Sequence, residues 1–257
     1  IVLVSTVVSC DSWLDLGSED RIMENTLFSS QAGFMTALNG VYIELNTNEL
    51  YGRNLTAGAL DVMGQYYSVA SSSHAFYNYG GLVYTGNDEK ALFDNMWQKC
   101  YAVIACCNTI IEKCDENKAG LSPVWKGSIK GEALALRAML HFDMLRLFSA
   151  SPAIDKERKA IPYLESYTNL PQHQLTVGAV LEKVVKDLNA ARELMREVDP
   201  YGPNYAKLES LYRNHPLLRN RQKHLNYYAV TALLARVQLY AGNLPDALEA
   251  AREIVGE

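Results

Sequence analysis

The sequence is short of positive charge: 24 Lys and Arg stand against 29 Asp and Glu, a formal net charge of −5 over 257 residues. A surface that follows nucleic-acid phosphates needs the opposite balance, so nucleic acid is not an expected partner. Histidine is also scarce, and the five that occur are scattered, without the close spacing a metal site requires. There is no Gly-rich phosphate loop, no His-Glu-x-x-His and no Gly-x-Ser-x-Gly elbow. No cofactor, no metal and no enzymatic activity are therefore expected. The opening apolar run, IVLVSTVVS, has nine residues, too few to cross a bilayer at about 20 residues per helix. Cysteine is limited to five, four of them within one predicted helix. Cys100, Cys107 and Cys114 share a stripe but lie about 10.5 Å apart along it, beyond the reach of a disulfide. With no His beside them, all four (Cys106 included) read as small buried thiols.

What is abundant is helical periodicity, strongest between Pro123 and Phe148. Ile129, Ala133, Leu136, Leu140, Met144 and Leu147 mark one apolar face; Leu134, Ala138, Phe142 and Leu145 mark another. A helix apolar on two faces is buried between neighbours. Ser122 followed by Pro123 suits its first turn. Arg137 on such a helix needs an acid, supplied by Glu132, Asp143 or a packed neighbour, because an unpaired buried charge is costly.

Further helices follow from the same pattern. Ser30 caps one from Gln31 to about Leu45, with Phe34, Leu38, Val41, Tyr42 and Leu45 inward. A short one runs from Leu55 to Met63. Another begins at Asp88, capped by Asn87 or Asp88, and ends at Asp115. Thr176 opens the next, stopped by Asp199-Pro200. Leu225–Ala241 and Pro245–Val255 form a close pair around Gly242-Asn243-Leu244. Small residues (Ala235, Ala247, Ala250, Ala251) fall where these two must cross, which resembles a tetratricopeptide repeat. Phe142 with its following loop and the Thr176 helix form an earlier, expanded copy. The fold class expected is all-α, stacked helical hairpins with long irregular loops.

Three excursions interrupt the helices. Ser149–Leu175 carries a charged run, Asp155–Lys159, read as solvated. Tyr201–His224 is locally basic through Lys207, Arg213, Arg219, Arg221 and Lys223, and also reads as a solvated loop. The third, Gly64–Asn87, has no period but is crowded with rings. Long loops in compact domains are functional or disordered, and disordered ones are poor in aromatics. Tyr66, Tyr67, His74, Phe76, Tyr77, Asn78, Tyr79 and Tyr84 therefore make the candidate ligand surface, with stacking rings for the C–H faces of a sugar and polar groups for its hydroxyl rim. The alternative is a loop packed down by its own side chains.

At the start of the chain, Val7-Val8-Ser9-Cys10 matches a bacterial lipobox. On that reading residues 1–9 are the remnant of a signal peptide, Cys10 is lipidated and residues 10–28 form a tether and an extended lead-in strand. Residues 29–257 form the helical domain. The alternative is a buried N-terminal strand ending in a core Cys.

Five stretches in order, NMWQKCYAVIACCNTIIEKCDE, GEALALRAMLHFDMLRLF, VLEKVVKDLNAARELM, NYYAVTALLARVQLYAGNLPDALEAAREIV and the opening CDSWLDL, resemble the N-terminal part of the SusD/RagB nutrient-binding lipoproteins. The resemblance implies an outer-membrane, cell-surface, lipid-anchored protein that sits on a SusC-like TonB-dependent transporter and captures oligosaccharides, or peptides in the RagB branch. It implies no catalysis. Family members are usually much longer, so the C-terminal half that supplies much of the ligand site is not expected in this sequence. The Gly-x-Pro usual after the central helix reads Ser-Ala-Ser-Pro at Ser149–Pro152, and the Trp-rich signature of starch-binding members gives way to tyrosines. A tetratricopeptide scaffold that binds proteins is the competing reading.

Overall fold

The computed structural model describes residues 18–168, 170–203 and 215–256. Among these residues no strand forms; one isolated antiparallel bridge joins Lys159 to Thr176. The helices are α1 (Ser18–Leu27), α2 (Gln31–Leu45), α3 (Ala59–Met63), α4 (Tyr77–Gly80), α5 (Asn87–Glu116), α6 (Pro123–Phe148), α7 (Val177–Arg196), α8 (Tyr227–Ala241) and α9 (Leu244–Val255). They stack in chain order: α2 on α5 and α6, α5 on α6, α6 on α7, α7 on α8, and α8 on α9. This is the stacked-hairpin, tetratricopeptide-like architecture that the periodicity predicts.

α6 is its axis. Both apolar faces turn inward: Ile129, Leu136, Leu140 and Met144 are fully buried, and Leu147 is half-buried. Ser122 caps it through the Trp125 N–H, with Pro123 in the first turn. Ser30 and Thr176 cap α2 and α7 in the same manner. Two helix starts differ from the sequence reading. α5 begins after Gly86, with no side-chain cap, and Asn87 and Asp88 lie inside its first turn. The short helix α3 is confined to Ala59–Met63, since hydrogen-bonded turns occupy the chain from Asn46 to Gly58. The expected extended lead-in is also helical from Ser18, and Glu24 of α1 pairs with Lys113 of α5 at 2.8 Å. Lipobox residue Cys10 lies outside the described residues, as do Lys207 and Arg213.

Close approach of α6 and α7 depends on glycine. A Cβ on Gly127 would stand 2.8 Å from the Leu194 carbonyl oxygen, and one on Gly131 2.9 Å from Met195 Cγ. Gly40, in α2, would meet nothing within 4 Å. Gly→Ala within a helix gains up to about 1 kcal/mol of propensity, whereas overpacking costs about 1–3 kcal/mol. Gly40→Ala is therefore expected to raise the melting temperature and Gly127→Ala to lower it, as thermal circular dichroism would read. At the α8–α9 turn Gly242 takes a φ of +85°, which suits glycine, and Ala247 and Ala250 are buried against α8, with Ala251 exposed.

Two buried polar clusters fix neighbours to α6. Arg137 finds its acid on the packed neighbour: Nε and Nη2 donate to the two oxygens of Asp187 on α7, at 2.7 and 2.8 Å. Its Nη1 reaches Asn108 of α5 and the Glu165 carbonyl. The second cluster corrects the reading of the basic excursion as solvated. Arg221 is fully buried, donating to Glu132 of α6, to Asp199 Oδ2 at 2.8 and 3.1 Å, and to the Leu225 carbonyl. Glu132 also accepts from the Tyr42 hydroxyl and lies 2.8 Å from His224 Nδ1. Asp155–Lys159 is exposed as expected. Cys100, Cys107 and Cys114 are buried, and burial raises their thiol pKa values, but Cys106, off that stripe, is exposed.

Candidate functional site

The tyrosine loop is built on a small core of its own. Ala59 and Val62 of α3 and Tyr79 of α4 are buried together, and Phe76, Tyr84 and Phe93 close over them. The rings meet edge-on: Tyr79 lies 5.8 Å from Phe76 and 5.9 Å from Phe93, Tyr84 lies 5.4 Å from Phe93, and Phe93 continues to Phe148 of α6 at 6.2 Å. Such aromatic pairs add about 0.5–1.5 kcal/mol each beyond area burial. Burial pushes the Tyr79 hydroxyl up to about 12, with Glu89 and Asp88 adding to it. Gln65 closes the loop across its base, donating from Nε2 to the Gly80 carbonyl at 2.9 Å.

These contacts divide the eight candidate residues. Phe76, Tyr79 and Tyr84 are the loop's internal packing, so the stacking surface loses them: Tyr79 is only 2% exposed. Asn78 is spent on the α5 start, donating at 2.7 Å to Glu89, whose carboxyl it holds below the usual carboxylate range. The remaining residues face outward. Tyr66 is 82% exposed, and Tyr67 and Tyr77 are each 42% exposed. His74 is exposed too, its Nδ1 accepting from the Phe76 N–H at 3.1 Å. Tyr67 is pinned by its hydroxyl, which donates to the Ala57 carbonyl. A ring pinned in this way yet open at its face can stack on a flat ligand with little loss of rotamer entropy. Sequence reasoning passed over Arg53, whose guanidinium lies 5.6 Å from the centre of the Phe76 ring. It stands outside the ring-rich segment, so composition alone gave no reason to include it.

Among the described residues no group of three or more His, Cys, Asp and Glu could hold a metal ion, and no helix is long and apolar enough to cross a membrane.

A family model for SusD-like proteins, described as starch-binding and associating with the outer membrane, matches residues 12–205. The chain belongs to the SusD-like family. Among curated proteins, the SusD-like chain is 24% identical to "SusD-like protein P2" of Formosa agariphila over 198 residues, 75% of this chain and 36% of that protein. Among solved structures, a SusD-like carbohydrate binding protein from Bacteroides vulgatus superposes with a TM-score of 0.68 at 20% identity, over 89% of this chain and 45% of that one. A SusD superfamily protein from Bacteroides thetaiotaomicron gives 0.64 at 22%, over 88% and 46%. The SusD-like chain thus spans about a third of its curated relative and under half of these solved chains.

Proposed function

We propose that this chain is the helical part of a cell-surface protein, lipid-anchored in the outer membrane through Cys10, which captures oligosaccharides and passes them to a SusC-like TonB-dependent transporter. Family membership supports a starch-type or other glycan ligand. The observation that carries the reading within this chain is the outward set of Tyr66, Tyr67 and Tyr77 on a loop whose own core holds it in place. A sugar ring offers C–H faces to such rings, and the stacked helices serve as their rigid base.

Calorimetry against a panel of oligosaccharides tests the loop. Tyr66→Ala and Tyr77→Ala are each expected to weaken binding by about tenfold to a hundredfold, the cost of about 1–3 kcal/mol that truncating an aromatic anchor carries. Unchanged affinity in both variants retires the loop as the ligand surface. The anchor is tested separately: palmitate incorporation into the protein should disappear in Cys10→Ala, and a variant still labelled would remove that residue from the proposal.

A further inference from the structure

A cavity of about 250 Å³ opens between α3 with the segment that leads into it and the C-terminal ends of α6 and α8. Its walls are Leu55, Leu60, Leu147 and the Tyr240 ring, and its polar edge is Asp143 and Arg146. That volume falls just under the roughly 300–1,000 Å³ of sites for drug-sized ligands, room for a single ring.

The edge carries one acid and one base, and a second base stands next to them. Asp143 is the one carboxylate, and it is held in place: Oδ2 accepts from the Tyr51 hydroxyl at 2.6 Å and Oδ1 from Arg146 Nη1 at 3.2 Å. Arg236 approaches the same Oδ1 only to 3.9 Å. Both guanidiniums also lie over the Phe142 ring, 5.5 Å and 5.7 Å from its centre, and Tyr240 meets that ring edge-on at 5.3 Å. Arg236 does not line the cavity, but beside Arg146 it brings a second guanidinium to the one carboxylate of the edge, a surplus positive charge next to an apolar pocket. The Arg146 and Arg236 side chains keep 34% and 55% of their exposure, so solvent-side N–H donors remain to meet a ligand. A planar guanidinium matches a carboxylate better than it matches a lone hydroxyl.

We propose that this cavity takes one acidic sugar residue of the oligosaccharide, its ring against Leu60, Leu147 and Tyr240, its carboxylate on Arg146 and Arg236, and a hydroxyl donating to Asp143. The inference rests on the carbohydrate reading above and adds to it a preference for uronic acids. Tyr67 ties the exposed rings to the same segment as the cavity wall, since its hydroxyl bonds the Ala57 and Gly58 carbonyls, between Leu55 and Leu60 in sequence.

Digalacturonate, neutral digalactose and a sulfated galactose disaccharide, each titrated into the protein by calorimetry, test this. Digalacturonate should bind about tenfold or more tightly than digalactose, the worth of one charge-assisted contact, and added salt should narrow the gap. Arg236→Gln and Arg146→Gln should each erase most of that preference, read as the ratio of digalacturonate to digalactose affinity within each variant. Arg236 is more than half exposed, so its variant is expected to fold normally, as an unchanged melt would verify. Equal affinity for the acidic and neutral disaccharides, or a preference that survives both substitutions, overturns the inference. A sulfated disaccharide bound as tightly as the uronate overturns the carboxylate assignment. If neutral glycans bind through Tyr66 and Tyr77 with no preference for acid, the proposed function stands and only the acidic subsite falls; if no glycan binds at all, both fall.

Discussion

Replacing Arg221 with leucine is expected to cost about 3–5 kcal/mol of stability, the loss measured when one member of a buried ion pair is removed and its partners stay behind. Two carboxylates would be stranded. Burial alone would raise the Glu132 carboxyl, but Arg221, His224 and Tyr42 outweigh it and hold that carboxyl below the usual carboxylate range. Asp199 is buried as well and receives both of its arginine hydrogen bonds on a single oxygen. An exposed arginine in a basic loop would be worth about 0–1 kcal/mol, so the size of the loss separates the two readings of this segment. Urea denaturation should show a lower midpoint at an unchanged slope. In a Glu132→Gln background the same Arg221→Leu change should cost clearly less, because one stranded charge is already gone. A loss under about 1 kcal/mol in the native background would mean that the segment is not held to α6 through this cation.

Helix positions were legible wherever a local signal repeats: the two-sided apolar pattern placed α6 at Pro123–Phe148, and Ser30 and Thr176 marked their helix starts. Arg221 sits in an aperiodic stretch with four other basic residues named for it, and a charge run carries no mark of which member turns inward. Its partner Glu132 is 89 residues away, a pairing that only the stacking of helices creates. The apolar faces of α6 show that Arg137 needs an acid, but not that the acid is Asp187, which lies 50 residues on.

The tyrosine loop divides along the same line. Its composition correctly marks an ordered, ring-rich segment, but without a period nothing in the sequence says which rings turn inward. Phe93 decides that from the next helix, drawing in Tyr79 and Tyr84 and leaving Tyr66, Tyr67 and Tyr77 outside. Self-packing thus holds for Phe76, Tyr79 and Tyr84, and the proposed ligand surface is confined to the outward rings. The cavity is not legible in the sequence: Asp143 and Arg146 share α6, but Leu55, Leu60 and Tyr240 reach them only through the fold.

The second large effect is a dependence on pH between about 6.5 and 5, carried by His141. Its ring is buried in the middle of α6, stacked on Tyr163 with centres 3.9 Å apart and set edge-on to Tyr101. The Leu164 N–H can only donate, so Nε2 accepts it at 3.0 Å and the proton stays on Nδ1, facing the Arg137 carbonyl at 2.9 Å. A second proton on Nε2 would set donor against donor. Burial, opposed by the Arg137 carbonyl and aided by the Arg137 charge, pushes the imidazole down to about 3. The unfolded chain binds a proton near pH 6.5 and the folded one does not, so this contribution is fully present above that value and is lost as pH falls toward 3. The slope is about 1.4 kcal/mol per pH unit, or about 2 kcal/mol between pH 6.5 and 5. Carboxylates held low, Glu132 and Glu165 among them, lose their contribution only as pH falls below the ordinary value of 4.5, and His215, which burial also lowers, adds the same slope to the native protein and to a His141 variant. His141→Gln, however stable it is at pH 7, should therefore show a flatter dependence of unfolding free energy on pH from 6.5 to 5 than the native protein. Parallel curves for the two proteins across that range would mean that His141 takes up its proton without leaving the fold.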